Sequence, residues 1–192
     1  KCVRVTYDTT VLFDDMSNGG GIACDIENAL RMNADCMAVQ TFIGTPGESR
    51  SLELLCRTAD AGTRYGIPTL GVVAVGKQME RTEKFFQLAT RVLAENGANV
   101  VKSYFCEGFE RVAAACPVPI VIAGGKKLPE LDALEMAYQA IDQGAHGVDM
   151  GRNIFQSDCP AGMAQAIGKV VHEGYTAKQA YEVYQEVKNQ NA

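Results

Sequence analysis

The sequence predicts an α/β fold in which short parallel strands alternate with helices. Three observations predict it. Apolar segments rich in β-branched residues recur six times along the 192 residues, and helical patterns lie between most of them. The segments are almost continuously apolar, which is typical of a parallel sheet covered by helices. They are centred near Val3, Met37, Leu70, Val100, Ile120 and Val148.

The helical segments have recognisable ends. Gly66 follows the first long pattern as a stop signal, and Pro129 stands where a first-turn proline is tolerated. Leucines, alanines and phenylalanines at helical spacing fill the segments between such signals. Helices are therefore predicted over 49–65, 82–95, 107–116, 129–141, 163–171 and 177–187.

Two architectures fit this alternation, an open doubly wound sheet and a (β/α)8 barrel. No G-x-G-x-x-G follows the first strand, which weakens the dinucleotide-binding version. Polar residues gather instead at the C-terminal ends of strands, where a barrel places its active site. A barrel needs eight strands. The sequence thus predicts a TIM barrel of which this chain covers strands 3 to 8, as one domain over 1–192 whose two N-terminal βα units are missing.

Composition limits the classes of partner. The net charge of -5 argues against a broad nucleic-acid or anionic-membrane surface, and no apolar run reaches the roughly 18–20 residues of a membrane span. Cys and His show no metal-ligand spacing, so no metal is expected. The seven cysteines lack a C-x-x-C pair and are interpreted as small buried side chains in a reducing compartment. These features predict a cytoplasmic protein.

A charged residue interrupts the apolar strand "NVVKSYF". Strand alternation places Val100, Lys102 and Tyr104 on one face, which points inward in a barrel. A buried lysine is costly unless it is paired or neutralised. A neutral amine attacks a carbonyl and forms a Schiff base, so Lys102 is a candidate nucleophile. The alternatives are a lysine paired with a carboxylate or one that extends out of the strand end.

Two later segments predict a phosphate site. "VIAGGKK" ends a strand at Gly124 and Gly125, whose backbone N–H groups can approach an oxyanion. "DMGRN" ends the next strand at Gly151 and Arg152, where a short turn would direct N–H groups and a guanidinium to the same point. Barrels often build a phosphate site from the loops after strands seven and eight.

A Schiff-base lysine with this phosphate site resembles the class I aldolase family that includes the archaeal-type fructose-bisphosphate aldolases. The segment "VIAGGKKLPELDALEMAYQAIDQGAHGVDMGRNIFQSD" is most similar to the thiolase branch of that family. The resemblance covers all 192 residues and is strongest from Asn99 to Asp158. It implies a complete (β/α)8 barrel with the nucleophile at Lys102. It also implies phosphate contacts at Gly124, Gly125, Gly151 and Arg152.

The thiolase branch implies transfer of an acetyl group from a phosphorylated pentanedione to coenzyme A, leaving dihydroxyacetone phosphate. Coenzyme A would be a co-substrate, no metal would be needed, and the protein would be a homo-oligomer. The family's sugar-phosphate aldolases use a strand-five tyrosine as proton donor, where this chain has Ala74 or a neighbouring valine. Tyr104 is the substitute candidate, and Gln40 is expected to orient substrate. Asp149 is expected only to support a cation such as Arg152.

Two other functions stay open at this stage. One is a class I aldolase acting on a sugar phosphate such as fructose 1,6-bisphosphate. The other is a phosphate-ligand sensor on a barrel scaffold, in which Lys102 forms no covalent adduct.

Overall fold

The computed structural model describes residues 1–8, 19–75 and 80–190. Six strands form one sheet and two short strands pair separately. The strands are β1 Cys2–Arg4, β2 Thr6–Tyr7, β3 Gly21–Ile22, β4 Cys36–Thr41, β5 Thr69–Val73, β6 Val100–Tyr104, β7 Ile120–Ala123 and β8 Gly147–Asp149. The helices are α1 Ile26–Arg31, α2 Glu48–Tyr65, α3 Glu83–Glu95, α4 Phe109–Ala115, α5 Glu130–Asp142, α6 Arg152–Phe155, α7 Pro160–Glu173 and α8 Ala177–Gln190.

The main sheet contains all six predicted strands. Its order is β1-β4-β5-β6-β7-β8, and every neighbouring pair is parallel. This order follows the chain without a reversal. In a doubly wound sheet the order of the strands reverses at a switch point, whereas in a barrel each strand lies beside the next one in the chain. The strand order therefore favours the barrel and removes the doubly wound alternative.

Helices cover only one face of the sheet. On β6, Val101 and Ser103 are buried beneath helices, whereas Val100, Lys102 and Tyr104 are half-exposed. The largest buried side chains of α3, Phe86 and Leu93, pack into this outer core. At Gly71 the approach is close: a Cβ there would stand 3.0 Å from Leu93 Cδ2. Glycine in β5 thus lets α3 lie directly against the sheet.

The uncovered face is concave. One cavity of about 300 Å³ is lined by residues of β1, β4, β5, β6 and β8 together. Since β1 and β8 are the two edges of the sheet in the described residues, the sheet must curve for both to border one cavity. This curvature is that of a barrel wall.

The predicted helix ends are close to the observed ones. α2 ends at Gly66, which adopts φ +75° and donates its N–H to the carbonyl of Gly62. Thr82 caps α3 by accepting a hydrogen bond from the N–H of Phe85 at 3.3 Å. α7 begins at Pro160, earlier than predicted. The sequence did not predict α1 or the β2–β3 pair, because six-residue and two-residue elements carry little periodicity.

No helix within the described ranges combines the length and the apolar character that crossing a bilayer requires.

Two of the cysteines predicted to be buried are buried, Cys116 and Cys159. The prediction is wrong for Cys2 and Cys56, which are exposed because they lie on the sheet edge and on the outer side of α2.

Candidate active site

Lys102 lies on the concave face of β6, as strand alternation predicts. Its ammonium Nζ stands 2.7 Å from Oδ2 of Asp149 on β8. The two side chains are 23% and 54% exposed, so solvent reaches both. Lys102 is therefore paired with a carboxylate and is also accessible to a ligand.

The register explains how strands that are not neighbours supply this pair. Lys102 is opposite Val121 of β7, whereas Asp149 is opposite Ala123, one inward-facing position nearer the C-terminal end. Lys102 must extend upward and across β7 to meet Asp149. Adjacent strands are about 4.8 Å apart, so the side chain of Lys102 has to cross one strand to reach Asp149. The small side chain of Ala123 does not block this path.

The pair borders a cavity of about 330 Å³ at the C-terminal ends of the strands. This volume is in the range of small-ligand sites. All seven residues singled out in the sequence as site residues border it, and β5 adds only the carbon side chains of Val72, Val73 and Ala74. The seven are Gln40, Lys102, Tyr104, Gly124, Gly125, Gly151 and Arg152.

Tyr104 lies at the end of β6, on the cavity wall. Its ring centroid is 6.2 Å from that of Phe86 and 4.2 Å from Cζ of Arg81. A guanidinium above an aromatic face is attracted by the ring quadrupole. Tyr104 is thus held from two sides, and Gln40, half-buried on β4, lies on the same cavity wall.

The glycines after β7 have different requirements. Gly125 adopts φ +65°, a conformation that favours glycine. At Gly124 a Cβ would stand 3.0 Å from both Asn153 Nδ2 and Met150 Cγ. Gly124 therefore has to be small because the segment after β8 lies directly against it.

Asn153 joins the two predicted phosphate loops and was missed by sequence reasoning. It is fully buried. Its Nδ2 donates to the carbonyl of Gly124 at 2.6 Å, and its Oδ1 accepts the N–H of Leu128 at 2.7 Å. Both ends of the 124–128 loop are thus attached to α6, directly after Arg152. The available signal was its place in "GRN", at the end of the last strand.

The two lysines of "GGKK" do not border the cavity. Lys127 Nζ is 2.7 Å from Oε1 of Glu130, and this hydrogen bond lowers the pKa of the Glu130 carboxyl. Lys126 is exposed. The two loops carry three cationic side chains, Lys126, Lys127 and Arg152. Of these three, Arg152 is the one that borders the cavity.

A pair of thiols lies on the concave face below Lys102. Cys2 and Cys36 are directly opposite each other on β1 and β4. The hydrogen bond that the Cys36 sulfur accepts from Cys2 lowers the pKa of Cys36 to about 7, with help from a backbone hydrogen bond at Leu70. The same interaction, with burial, raises the pKa of Cys2.

Cys36 is expected to be alkylated by iodoacetamide near neutral pH, because the thiolate is the nucleophile. Cys106 is the matched comparison, since it is also half-exposed but burial and the charge of Glu83 raise its pKa. Labelling of Cys36 should reach half of its limiting rate at a lower pH than labelling of Cys106, measured by peptide mass spectrometry. Labelling of both cysteines with the same pH profile would contradict this prediction.

Within residues 1–8, 19–75 and 80–190, no group of three or more His, Cys, Asp or Glu side chains is arranged to hold a metal ion.

Residues 5–157 match the family model described as DeoC/LacD family aldolase. The 3-hydroxy-5-phosphonooxypentane-2,4-dione thiolase of Enterobacter sp. strain 638 is 57% identical over 168 residues, which are 87% of this chain and 57% of that protein. The thiolase of the same name from Yersinia enterocolitica is 55% identical over 174 residues, 90% of this chain and 60% of that protein. The chain thus spans about 60% of the length of these relatives.

Solved structures show the same fold. An archaeal fructose-1,6-bisphosphate aldolase, with its catalytic lysine covalently bound to the carbinolamine intermediate of the substrate, superposes with TM-score 0.81 at 22% identity, over 88% of this chain and 69% of that chain. The fructose-bisphosphate aldolase from Slackia heliotrinireducens gives 0.84 at 20% identity, over 96% and 65%. These neighbours are TIM barrels. They confirm the prediction that this chain forms part of a (β/α)8 barrel.

Proposed function

The chain belongs to the DeoC/LacD aldolase family, and from this premise we propose that Lys102 forms a Schiff base with a small phosphorylated ketone. One observation carries the proposal: a half-buried lysine and two glycine-containing loops border a single cavity at the C-terminal ends of parallel strands. A barrel holds its substrate on this side. We also propose that two further βα units complete the barrel, since a (β/α)8 barrel has eight strands and the described sheet has six.

The phosphate would occupy the rim of the cavity. Backbone N–H groups at Gly124, Gly125 and Gly151 and the guanidinium of Arg152 would bind its oxygens. Holding the phosphate fixes the far end of the substrate, so that its carbonyl is presented to Lys102. Gln40 would orient the substrate from its position on β4.

The lysine would then attack the carbonyl next to the phosphate-bearing carbon. Loss of water gives an iminium, which weakens the C–C bond one carbon further along, between the hydroxyl-bearing carbon and the acetyl carbonyl. When that bond breaks, its electron pair remains on the fragment attached to Lys102 as an enamine. Protonation and hydrolysis of the enamine release dihydroxyacetone phosphate and restore the lysine.

The acyl acceptor is proposed from the relatives named as thiolases, at 54–57% identity. With 3-hydroxy-5-phosphonooxypentane-2,4-dione as substrate, the coenzyme A thiol adds to the acetyl carbonyl as the C–C bond breaks. The products are acetyl-CoA and dihydroxyacetone phosphate. Retro-aldol cleavage needs a group that takes the proton from the hydroxyl that becomes a carbonyl. Among the described residues, Val72, Val73 and Ala74 supply no such group from their side of the cavity, which supports the thiolase reaction.

The runner-up is a class I aldolase acting on a sugar phosphate. It is favoured by one feature, the position of Tyr104 on the cavity wall, from which its hydroxyl would serve as proton donor. The proposed setting is autoinducer-2 breakdown by a cytoplasmic homo-oligomer, without nucleic-acid or membrane partners.

The test uses the full-length protein with each substrate. With the pentanedione phosphate, acetyl-CoA should form only when coenzyme A is added, and dihydroxyacetone phosphate should appear in equal amount. Cleavage of fructose 1,6-bisphosphate at a comparable rate without coenzyme A would favour the aldolase instead. If neither substrate reacts and borohydride traps no adduct, the protein is better explained as a phosphate-ligand sensor.

A further inference from the structure

We propose that Asp149 is the acid–base catalyst for Lys102, taking the proton from its ammonium and delivering it to the substrate oxygen that leaves as water. The proposal rests on the Schiff-base function proposed above and adds the group that performs its proton transfers. Asp149 contacts the reacting atom itself, since its Oδ2 is 2.7 Å from Lys102 Nζ. This distance allows direct proton transfer.

The need for such a group follows from the state of the lysine. A protonated amine has no lone pair and does not attack a carbonyl. The carboxylate of Asp149 lies 2.7 Å from this ammonium and is therefore placed to accept the proton that must leave before the attack. A neutral amine and a neutral acid side by side then present the nucleophile and the proton donor together.

Asp149 is also placed toward the substrate. It lies one inward-facing position nearer the C-terminal end than Lys102, and it borders the same cavity as Gly124, Gly151 and Arg152. A carbonyl that reaches Lys102 from the phosphate rim therefore passes the Asp149 carboxyl. Its 54% exposure leaves the carboxyl room to contact an incoming oxygen.

Other groups border this cavity but do not replace Asp149. Tyr104 stands at the same level of the sheet as Asp149, but its ring is held by Phe86 and Arg81, and no contact with Lys102 Nζ is observed for it in the described residues. Among the described residues, β5 and Ala74 add only carbon side chains to the cavity. The charged and titratable groups that face Asp149 are Lys102 on β6, Cys2 and Arg4 on β1, Tyr104 at the end of β6 and Arg152 on α6.

The proton balance closes. Asp149 first accepts one proton from the ammonium, and the amine attacks to form an N–C bond as the carbonyl electrons move to oxygen. Asp149 returns the proton to that oxygen and removes a second one from nitrogen. Donating this second proton to the hydroxyl expels water and leaves the iminium. The ammonium and the ketone thus become an iminium and water, and Asp149 ends as the carboxylate.

The experiment measures the rate at which the full-length protein forms the borohydride-trappable imine with dihydroxyacetone phosphate. Asp149→Asn keeps the shape but cannot accept the proton. We expect it to slow imine formation by about 100-fold or more, the usual contribution of a positioned acid–base group. Its affinity for inorganic phosphate should stay within about threefold of wild type. Asp158→Asn is the matched control, because it removes another Lys–Asp pair at 2.7 Å, on the surface with Lys188.

A conservative variant separates catalysis from a structural role. Asp149→Glu, which keeps a carboxyl, should recover most of the rate.

Imine formation at the wild-type rate in Asp149→Asn would overturn the inference while the Schiff base stands. If Asp149→Asn lost phosphate binding, Asp149→Glu would decide: a rate as low as that of Asp149→Asn in a variant that binds phosphate would also overturn it. No imine in wild type would overturn the proposed function instead.

Discussion

Lys102→Arg is expected to abolish the borohydride-trappable adduct and to lower turnover by on the order of 10⁴-fold or more, the scale of losing a covalent nucleophile. Arginine keeps the positive charge and can pair with Asp149. However, its guanidinium stays protonated at any working pH and cannot form an imine. The variant thus separates the nucleophile from the charge at the same position. Intact mass after trapping with dihydroxyacetone phosphate measures the result.

The fold should survive this change. Lys102 and Asp149 are 23% and 54% exposed, and a solvated ion pair contributes roughly 0–1 kcal/mol to stability. Lys102→Met, which loses the charge as well, should therefore unfold at nearly the wild-type temperature while forming no adduct. Lys178→Met on α8 is the control for removing an exposed lysine and should trap normally. An adduct that persists in Lys102→Arg would assign the Schiff base to another lysine.

Asn153→Ala is expected to weaken phosphate binding by at least tenfold and to destabilise the protein by about 2–4 kcal/mol. The change leaves the Gly124 carbonyl and the Leu128 N–H without their partner, and each unsatisfied buried group costs about 1–3 kcal/mol. It also releases the 124–128 loop from α6. Calorimetric titration with inorganic phosphate and thermal unfolding measure the two effects.

Asn96→Ala is the matched control for this prediction. Asn96 also makes two side-chain hydrogen bonds, donating to the carbonyl of Val92 at 2.8 Å and accepting from the thiol of Cys56 at 3.3 Å. It lies at the end of α3, away from the cavity. Its loss should lower stability without changing phosphate affinity. Equal phosphate affinity in Asn153→Ala and wild type would show that the loop holds its shape without Asn153.

The positions of the candidate site residues were predictable where one strand or one turn decides them. Alternation along β6 is enough to place Lys102 and Tyr104 inward, and two glycines after β7 indicate a close backbone approach. Asp149 was expected to support a cation, but Lys102 was not identified as that cation, because their contact depends on the registers of β6, β7 and β8 and on the small size of Ala123. Neither the strand registers nor the curvature of the sheet can be predicted from any single segment of the sequence.

Asn153 was missed for a similar reason. An asparagine after "GR" is equally compatible with an exposed turn, and only the packing of α6 against the 124–128 loop buries it. The strand count was predictable because each strand of the main sheet is an apolar segment between helical patterns. The β2–β3 pair was not, since two-residue strands are defined by their partner rather than by their own composition.

The strictly sequential strand order has a consequence for how the site comes into being. Lys102, the glycine loop, Asp149 and Asn153 all belong to three successive βα units within residues 100–155. Contacts among neighbouring units close short loops of chain, and such local contacts form quickly during folding. The proposed nucleophile and the proposed phosphate loops can thus form as one local folding unit, which recombination between related genes would transfer in a single piece.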